Sequence, residues 1–140
     1  MRELVSKSID ETERFGREIA GKLKPGDIAA FTGGLGSGKT CIIKSICREL
    51  GIKDIVTSPT FTLMHIYEGD VKVLHLDCYR LRSAEEALLL GLDEYFYGDY
   101  ISLIEWADRI RPILPDKTQF YNMIRVAEHE TWRTITFIDQ

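Results

Sequence analysis

The chain has 140 residues, the size of one domain able to bury a core without disulfide or metal staples, and we expect a single domain over residues 1–140. Hydrophobic residues at 44% and charged residues at 29% exclude a disordered chain, and a formal net charge of −4 excludes the global positive field of a dedicated nucleic-acid binder. No run reaches the ~18 apolar residues of a membrane span and Met1 to Ser8 holds no apolar leader segment, so a cytoplasmic protein without a membrane partner is expected.

Alternation over Glu3 to Ser8 predicts a first strand, and Asp10 then caps a helix that runs to about Leu23, with Glu13 at the capping-box position. Phe15, Ile19 and Leu23 recur at helical spacing before Pro25-Gly26 stops the pattern. Asp27 to Thr32 is a short apolar run of the kind that fills a central strand covered on both faces, and it leads directly into glycine. A second helix follows from Lys39 to about Leu50. Strands are predicted at Asp54 to Ser58, Phe61 to Tyr67 and Val71 to Asp77, the last two joined as a hairpin by Glu68-Gly69-Asp70.

Ser83 caps a helix to Leu90, and Ile101 to Glu105 reads as another buried strand. Pro112 and Pro115 are expected to end the helix after it. Tyr121 to Ala127 and Thr131 to Ile138 alternate like an antiparallel pair at a sheet edge. The fold class is therefore α/β: a P-loop NTPase-like mixed β-sheet with helices on both faces. Cys41, Cys47 and Cys78 form no CxxC pair and are expected to be small buried hydrophobes in a reducing compartment.

Gly33-Gly34-Leu35-Gly36-Ser37-Gly38-Lys39-Thr40 matches G-x-x-x-x-G-K-[ST], directly after a buried strand and directly before a helix. Enclosing a polyphosphate explains each residue type. The four glycines let the backbone turn its N–H groups inward as an anion nest, and the helix N-terminus adds partial positive charge. Lys39 reaches the β- and γ-phosphates, while Thr40 offers a hydroxyl to Mg²⁺. Cys41, on the first turn of the helix, completes the nucleotide-binding run.

Acidic help must come from elsewhere. Asp77 and Glu105 both end apolar strands, where open α/β sheets bind ligands, and Thr60 sits in a loop suited to sense the metal and γ-phosphate. His65 and His75 lack further ligands at zinc-like spacing and are expected to be structural. Tyr95, Phe96, Tyr97 and Tyr100 suit a packed helix-to-strand connection as well as a partner surface. No N-K-x-D guanine motif occurs at Asp116-Lys117-Thr118, which favours ATP over GTP.

Taken together these residues resemble the TsaE family (formerly YjeE), small bacterial P-loop ATPases of tRNA threonylcarbamoyladenosine synthesis. The resemblance rests on Gly33 to Thr40, Ser58-Pro59-Thr60-Phe61-Thr62-Leu63, His75-Leu76-Asp77-Cys78-Tyr79-Arg80-Leu81 and Ile104-Glu105-Trp106, with Gly91 to Phe96 and Leu114-Pro115 as further landmarks. It implies that Thr40 and Glu105 bind Mg²⁺, that Lys39 binds phosphate, and that Asp77 and Thr60 assist hydrolysis. It also implies an ATPase that serves TsaD and TsaB and meets tRNA only through their complex. The adenine would approach Asp10 to Thr12, with Arg133 a weaker candidate.

Family P-loops commonly read G-D-L-G-A-G-K-T-T, whereas this chain carries Gly34 and Cys41 at two of those positions; no phosphate-binding group is lost. No arginine finger is evident beside the P-loop, so slow turnover alone is expected. A small-molecule kinase and a nucleotide-gated binding module are the alternative functions.

Overall fold

In the computed structural model the described residues are 2–138. Seven strands form one mixed sheet in the order β1-β7-β6-β2-β5-β4-β3. They are β1 (Arg2–Ser6), β2 (Ile28–Thr32), β3 (Met64–Glu68), β4 (Lys72–Asp77), β5 (Ile101–Glu105), β6 (Gln119–Arg125) and β7 (Arg133–Ile138). The central strands β6, β2, β5 and β4 run parallel, while β3, β7 and β1 join by antiparallel ladders.

The pleat of β2 explains the two helical layers. Ala29 and Phe31 pack with Phe15 and Ile19 of α1 (Ile9–Ala20) and with Ile42, Ile43 and Ile46 of α2 (Lys39–Glu49). Ile28 and Ala30 point the other way, toward Ala87 of α3 (Ala84–Leu89) and two 3₁₀ segments, Leu92–Tyr97 and Ala107–Ile113. A strand buried on both faces needs apolar residues at every position, which is what Ile28 to Phe31 provide. The α1 and α2 backbones approach closely at Gly16: a Cβ there would lie 2.9 Å from Ser45 Cβ. Ser45 Oγ crosses the same seam to the Glu13 carbonyl at 2.6 Å.

Several predicted elements differ. Ser8, not Asp10, caps α1, its side chain accepting from the Glu11 N–H at 3.1 Å, and Glu11 rather than Glu13 reaches back to the Lys7 N–H at 2.6 Å. The motif was real but its register began two residues earlier, leaving Asp10 in the first turn. Asp54 to Ser58 is not a strand: Val56 is buried, Ile55 is 89% exposed, and Pro59 supplies no N–H to continue a ladder. Phe61 to Leu63 is a turn, with the Leu63 N–H donating to the Pro59 carbonyl at 2.7 Å and Leu63 at φ 73°.

The β6/β7 pair is antiparallel as expected but does not form an edge, because β1 adds to the outer side of β7. Pro112 lies inside the second 3₁₀ segment, not at its end. The tyrosine-rich stretch Leu92–Tyr97 is a packed 3₁₀ connection, with Phe96 buried and Tyr97 exposed. No helix among the described residues is long and apolar enough to cross a membrane.

Candidate functional site

The site forms where three parallel strands end side by side. Phe31 of β2 pairs with Glu105 of β5, and Glu105 pairs with Asp77 of β4, so the loop leaving β2 and both carboxylates share one sheet end. Parallel register thus joins three segments that lie far apart in sequence. Leu35, Gly36, Ser37, Gly38, Lys39, Thr40, Cys41, Ser58, Thr60, Asp77, Glu105, Trp106 and Arg133 line a cleft of ≈ 430 Å³. That volume lies within the range of about 300–1,000 Å³ usual for small-molecule sites.

Gly33, Gly36 and Gly38 take positive φ, whereas Gly34 does not, so three of the four glycines use the expected freedom. Lys39 Nζ donates to the carbonyls of Gly33 at 2.6 Å and Gly34 at 2.9 Å, and to Ser37 Oγ at 3.1 Å. Its ammonium also lies 4.1 Å from the centre of the Trp106 ring. Trp106 reaches this place because it leaves β5 with a left-handed φ of 56°. Burial lowers the Lys39 pKa, while Glu105, Asp77 and Asp108 oppose that shift.

The two carboxylates are buried, and each is held by several donors. Thr40 Oγ1 donates to Glu105 Oε1 at 2.8 Å, and His75 Nε2 meets Glu105 Oε2 at 2.7 Å. Asp77 Oδ2 accepts from Ser58 Oγ and from Thr60 Oγ1, both at 2.8 Å, and Asp77 Oδ1 accepts the Tyr79 N–H at 2.9 Å. The turn at Pro59 to Leu63 sets Thr60 over Asp77; the Asp77 N–H in turn donates to the Leu63 carbonyl at 2.8 Å. Left-handed backbone at a leucine costs of order 1–3 kcal/mol, and here it delivers a hydroxyl to the site.

The expected residues Leu35 to Cys41, Thr60, Asp77 and Glu105 therefore meet in one cleft, while Gly33 and Gly34 do not line it and hold Lys39 through their carbonyls. The expected base region is only partly assembled: Thr12 lines a side pocket of ≈ 150 Å³ with Ile9, Gly38, Cys41, Thr131 and Arg133, while Asp10 and Glu11 do not line it. Arg133 does come to the P-loop, its Nε donating to the Ser37 carbonyl at 3.0 Å and its Nη1 to the carbonyls of Glu130 and Trp132 at 2.6 and 2.8 Å. Arg80 does not pair with Asp77; it lies over the exposed Phe61 ring at 4.4 Å. Sequence reasoning gave no separate role to Ser58, although its hydroxyl beside Pro59-Thr60 was the available signal.

Cys41 is half-exposed, and Cys47 and Cys78 are buried, not all three as expected. Burial raises all three thiols, Cys47 to about 12. In the folded protein one thiol, Cys41, should label slowly with an alkylating reagent, and Cys47 and Cys78 only after denaturation. Mass spectrometry of timed samples checks this, and rapid labelling of Cys47 or Cys78 under native conditions would contradict their burial.

The donor set suits a magnesium nucleotide. Hard oxygens of Thr40 and Glu105 stand together beside a glycine-lined loop and a cation, as hydrated Mg²⁺ and phosphates require. A Cβ at Gly34 or Gly36 would meet nothing within 4 Å, so the loop is unpacked at those two positions.

Comparison with known proteins agrees with this architecture. The family model described as threonylcarbamoyl adenosine biosynthesis protein TsaE matches residues 6–135. The tRNA threonylcarbamoyladenosine biosynthesis protein TsaE of Bacillus subtilis is 40% identical over 129 residues, 91% of this chain and 79% of that protein. The protein of that name from Treponema pallidum is 40% identical over 114 residues, 81% of this chain and 84% of its own. The crystal structure of Bacillus subtilis YdiB superposes with a TM-score of 0.82 at 34% identity, covering 97% of this chain and 83% of that one.

Proposed function

Since the chain belongs to the TsaE family of tRNA threonylcarbamoyladenosine biosynthesis, we propose that it is a Mg²⁺-dependent ATPase that drives a TsaB and TsaD complex and does not itself transfer the threonylcarbamoyl group. The observation that carries the ATPase reading is the meeting of Lys39, Thr40 and Glu105 at the P-loop, with Thr40 Oγ1 and Glu105 Oε1 2.8 Å apart. Lys39 exchanges its carbonyl partners for the β- and γ-phosphates. Thr40 and Glu105 would hold the metal, and Mg²⁺ bound there would supply positive charge to the phosphate oxygens.

Asp77 orients the attacking water. An ionised carboxylate has about four acceptor sites, and three donors occupy Asp77, so one remains for the water. In the reaction a water oxygen bonds to the γ-phosphorus, the bond to the bridging oxygen breaks, and ADP and phosphate leave. Thr60 and Ser58 keep Asp77 in place. The adenine enters the side pocket lined by Thr12 and Cys41. Arg133 is tethered by backbone carbonyls of the P-loop and of the β6/β7 connection, which supports slow turnover without a partner.

Lys39→Ala should weaken ATP binding about ten- to a hundredfold, since it removes a charge-assisted contact worth roughly 1.5–3 kcal/mol. Titration calorimetry on the folded variant measures this. The whole reading is tested by phosphate release with and without TsaB and TsaD, and by multiple-turnover threonylcarbamoyladenosine formation on tRNA. Wild type should sustain many cycles, and Lys39→Ala or omission of the chain should stop them early. Equal modification in all three reactions removes the pathway role, whereas a phosphorylated metabolite in place of free phosphate makes the protein a kinase. Nucleotide binding with neither product leaves a gated binding module.

A further inference from the structure

His75 is 0% exposed on β4, between β5 and the edge strand β3, yet its side chain's only hydrogen-bond partner among the described residues is Glu105, and Nδ1 has none. As core filler this is a poor choice, because a buried imidazole nitrogen without a partner costs free energy that an aliphatic side chain of similar size avoids. The compensating feature is the contact from Nε2 to Glu105 Oε2 at 2.7 Å.

The hydroxyls nearby do not replace that contact. Ser58 has one proton, which is directed at Asp77 at 2.8 Å and lies farther from Glu105 Oε2, at 3.2 Å. Thr40 meets the other oxygen, Oε1. Since a carboxylate oxygen facing a ring nitrogen is the acceptor, Nε2 carries a proton toward Oε2. The ring is fixed from its other sides by His65 and Tyr67, whose centroids lie 6.4 and 6.2 Å away. His65 Nδ1 is itself tied to Tyr67 Oη at 3.1 Å.

We propose that His75 is the positioning residue of the divalent-cation site: its Nε2–H pins Glu105 Oε2, so that Oε1 is presented beside Thr40 Oγ1 for the cation. The inference rests on the assignment of Glu105 and Thr40 to Mg²⁺. It gives His75 a role that acts through Glu105 and touches neither nucleotide nor metal. Outer-shell donors of this kind typically change metal affinity or activity by about 10–100-fold when removed.

The test uses Mn²⁺ as a paramagnetic probe, with the full chain in complex with a non-hydrolysable ATP analogue. His75→Leu should weaken Mn²⁺ affinity about 10–100-fold and leave metal-free nucleotide affinity unchanged. His75→Gln, whose amide nitrogen lies near the position of Nε2, should recover most of the loss. Nitrogen NMR of the wild type should find Nε2 protonated. Should the leucine variant fail to fold, His75→Asn, whose amide falls short of Glu105, takes its place.

Wild-type Mn²⁺ affinity in the leucine or asparagine variant, equal loss in the glutamine variant, or an Nε2 without a proton overturns the proposal. If the wild-type complex itself binds no Mn²⁺, the cation-site assignment falls and this inference with it. If Glu105→Ala loses Mn²⁺ and His75→Leu does not, only the role of His75 falls.

Discussion

Glu105→Ala should lower metal-dependent ATP hydrolysis by about 10²–10³-fold, the range seen when one preorganised charge-stabilising group is removed, and change metal-free nucleotide affinity far less. The separation follows from the division of labour in the cleft. In the proposed site the P-loop backbone and Lys39 would grip the phosphates, whereas Glu105 meets Thr40 through Oε1 at the proposed cation position. The substitution also strands a donor: buried His75 loses its acceptor, at about 1–3 kcal/mol, whereas Thr40 faces the cleft. A fall in melting temperature is therefore expected alongside the loss of activity. Glu105→Gln retains the shape and one acceptor oxygen, and so separates lost charge from lost packing. Asp77→Asn should impair turnover in the same way through the water. ATP affinity and phosphate release are compared across a Mg²⁺ series, and full activity in both Glu105→Ala and Asp77→Asn would remove the acidic assignments.

What the sequence revealed and what it concealed separate along physical lines. The P-loop, β2 and the strand-ending acids were legible because each is local: a glycine spacing, an apolar run, a carboxylate after alternation. Parallel pairing of β2 with β5 and β5 with β4 then brought Asp77 and Glu105 to the loop, as strand-end chemistry predicted. Asp54 to Ser58 misled because its β-branched run Ile55-Val56-Thr57 suits a strand, while strand identity also needs a partner ladder that Pro59 and the following turn deny it. Ser8 and Asp10 are both competent caps, and the choice between them depends on where β1 releases the chain. The Arg133 contact to Ser37 spans 96 residues and arises only because β7 returns antiparallel beside β6. No local pattern encodes it. His75 looked like an ordinary strand residue, since its value lies in an oxygen on the neighbouring strand.

Gly33→Ala should be far more damaging than Gly34→Ala, although both lie in the same loop. Gly33 has φ +139°, and a Cβ there would collide with the Met123 carbonyl oxygen of β6 and lie 2.9 Å from Ser37 Oγ. The obstacle on one side is backbone of a neighbouring strand, paired into the sheet next to β2, so it cannot swing away as a flexible side chain would. Backbone strain of this kind costs of order 1–3 kcal/mol, and the steric overlap adds to it, so a total of about 3–5 kcal/mol is expected. For a domain of this size that corresponds to a fall of roughly 10 °C or more in melting temperature. Function should fall as well, because the Gly33 carbonyl holds Lys39 Nζ at 2.6 Å, and relieving the clash by turning that peptide moves the phosphate-binding ammonium. At Gly34 φ is not positive and a Cβ meets nothing within 4 Å, so alanine should leave both stability and ATP affinity near wild type. The same open space would accept an aspartate side chain at position 34. Thermal melts and calorimetric ATP titrations of the two variants check the contrast, and equal behaviour of Gly33→Ala and Gly34→Ala would show that the tight approach of the loop to β6 does not govern the site.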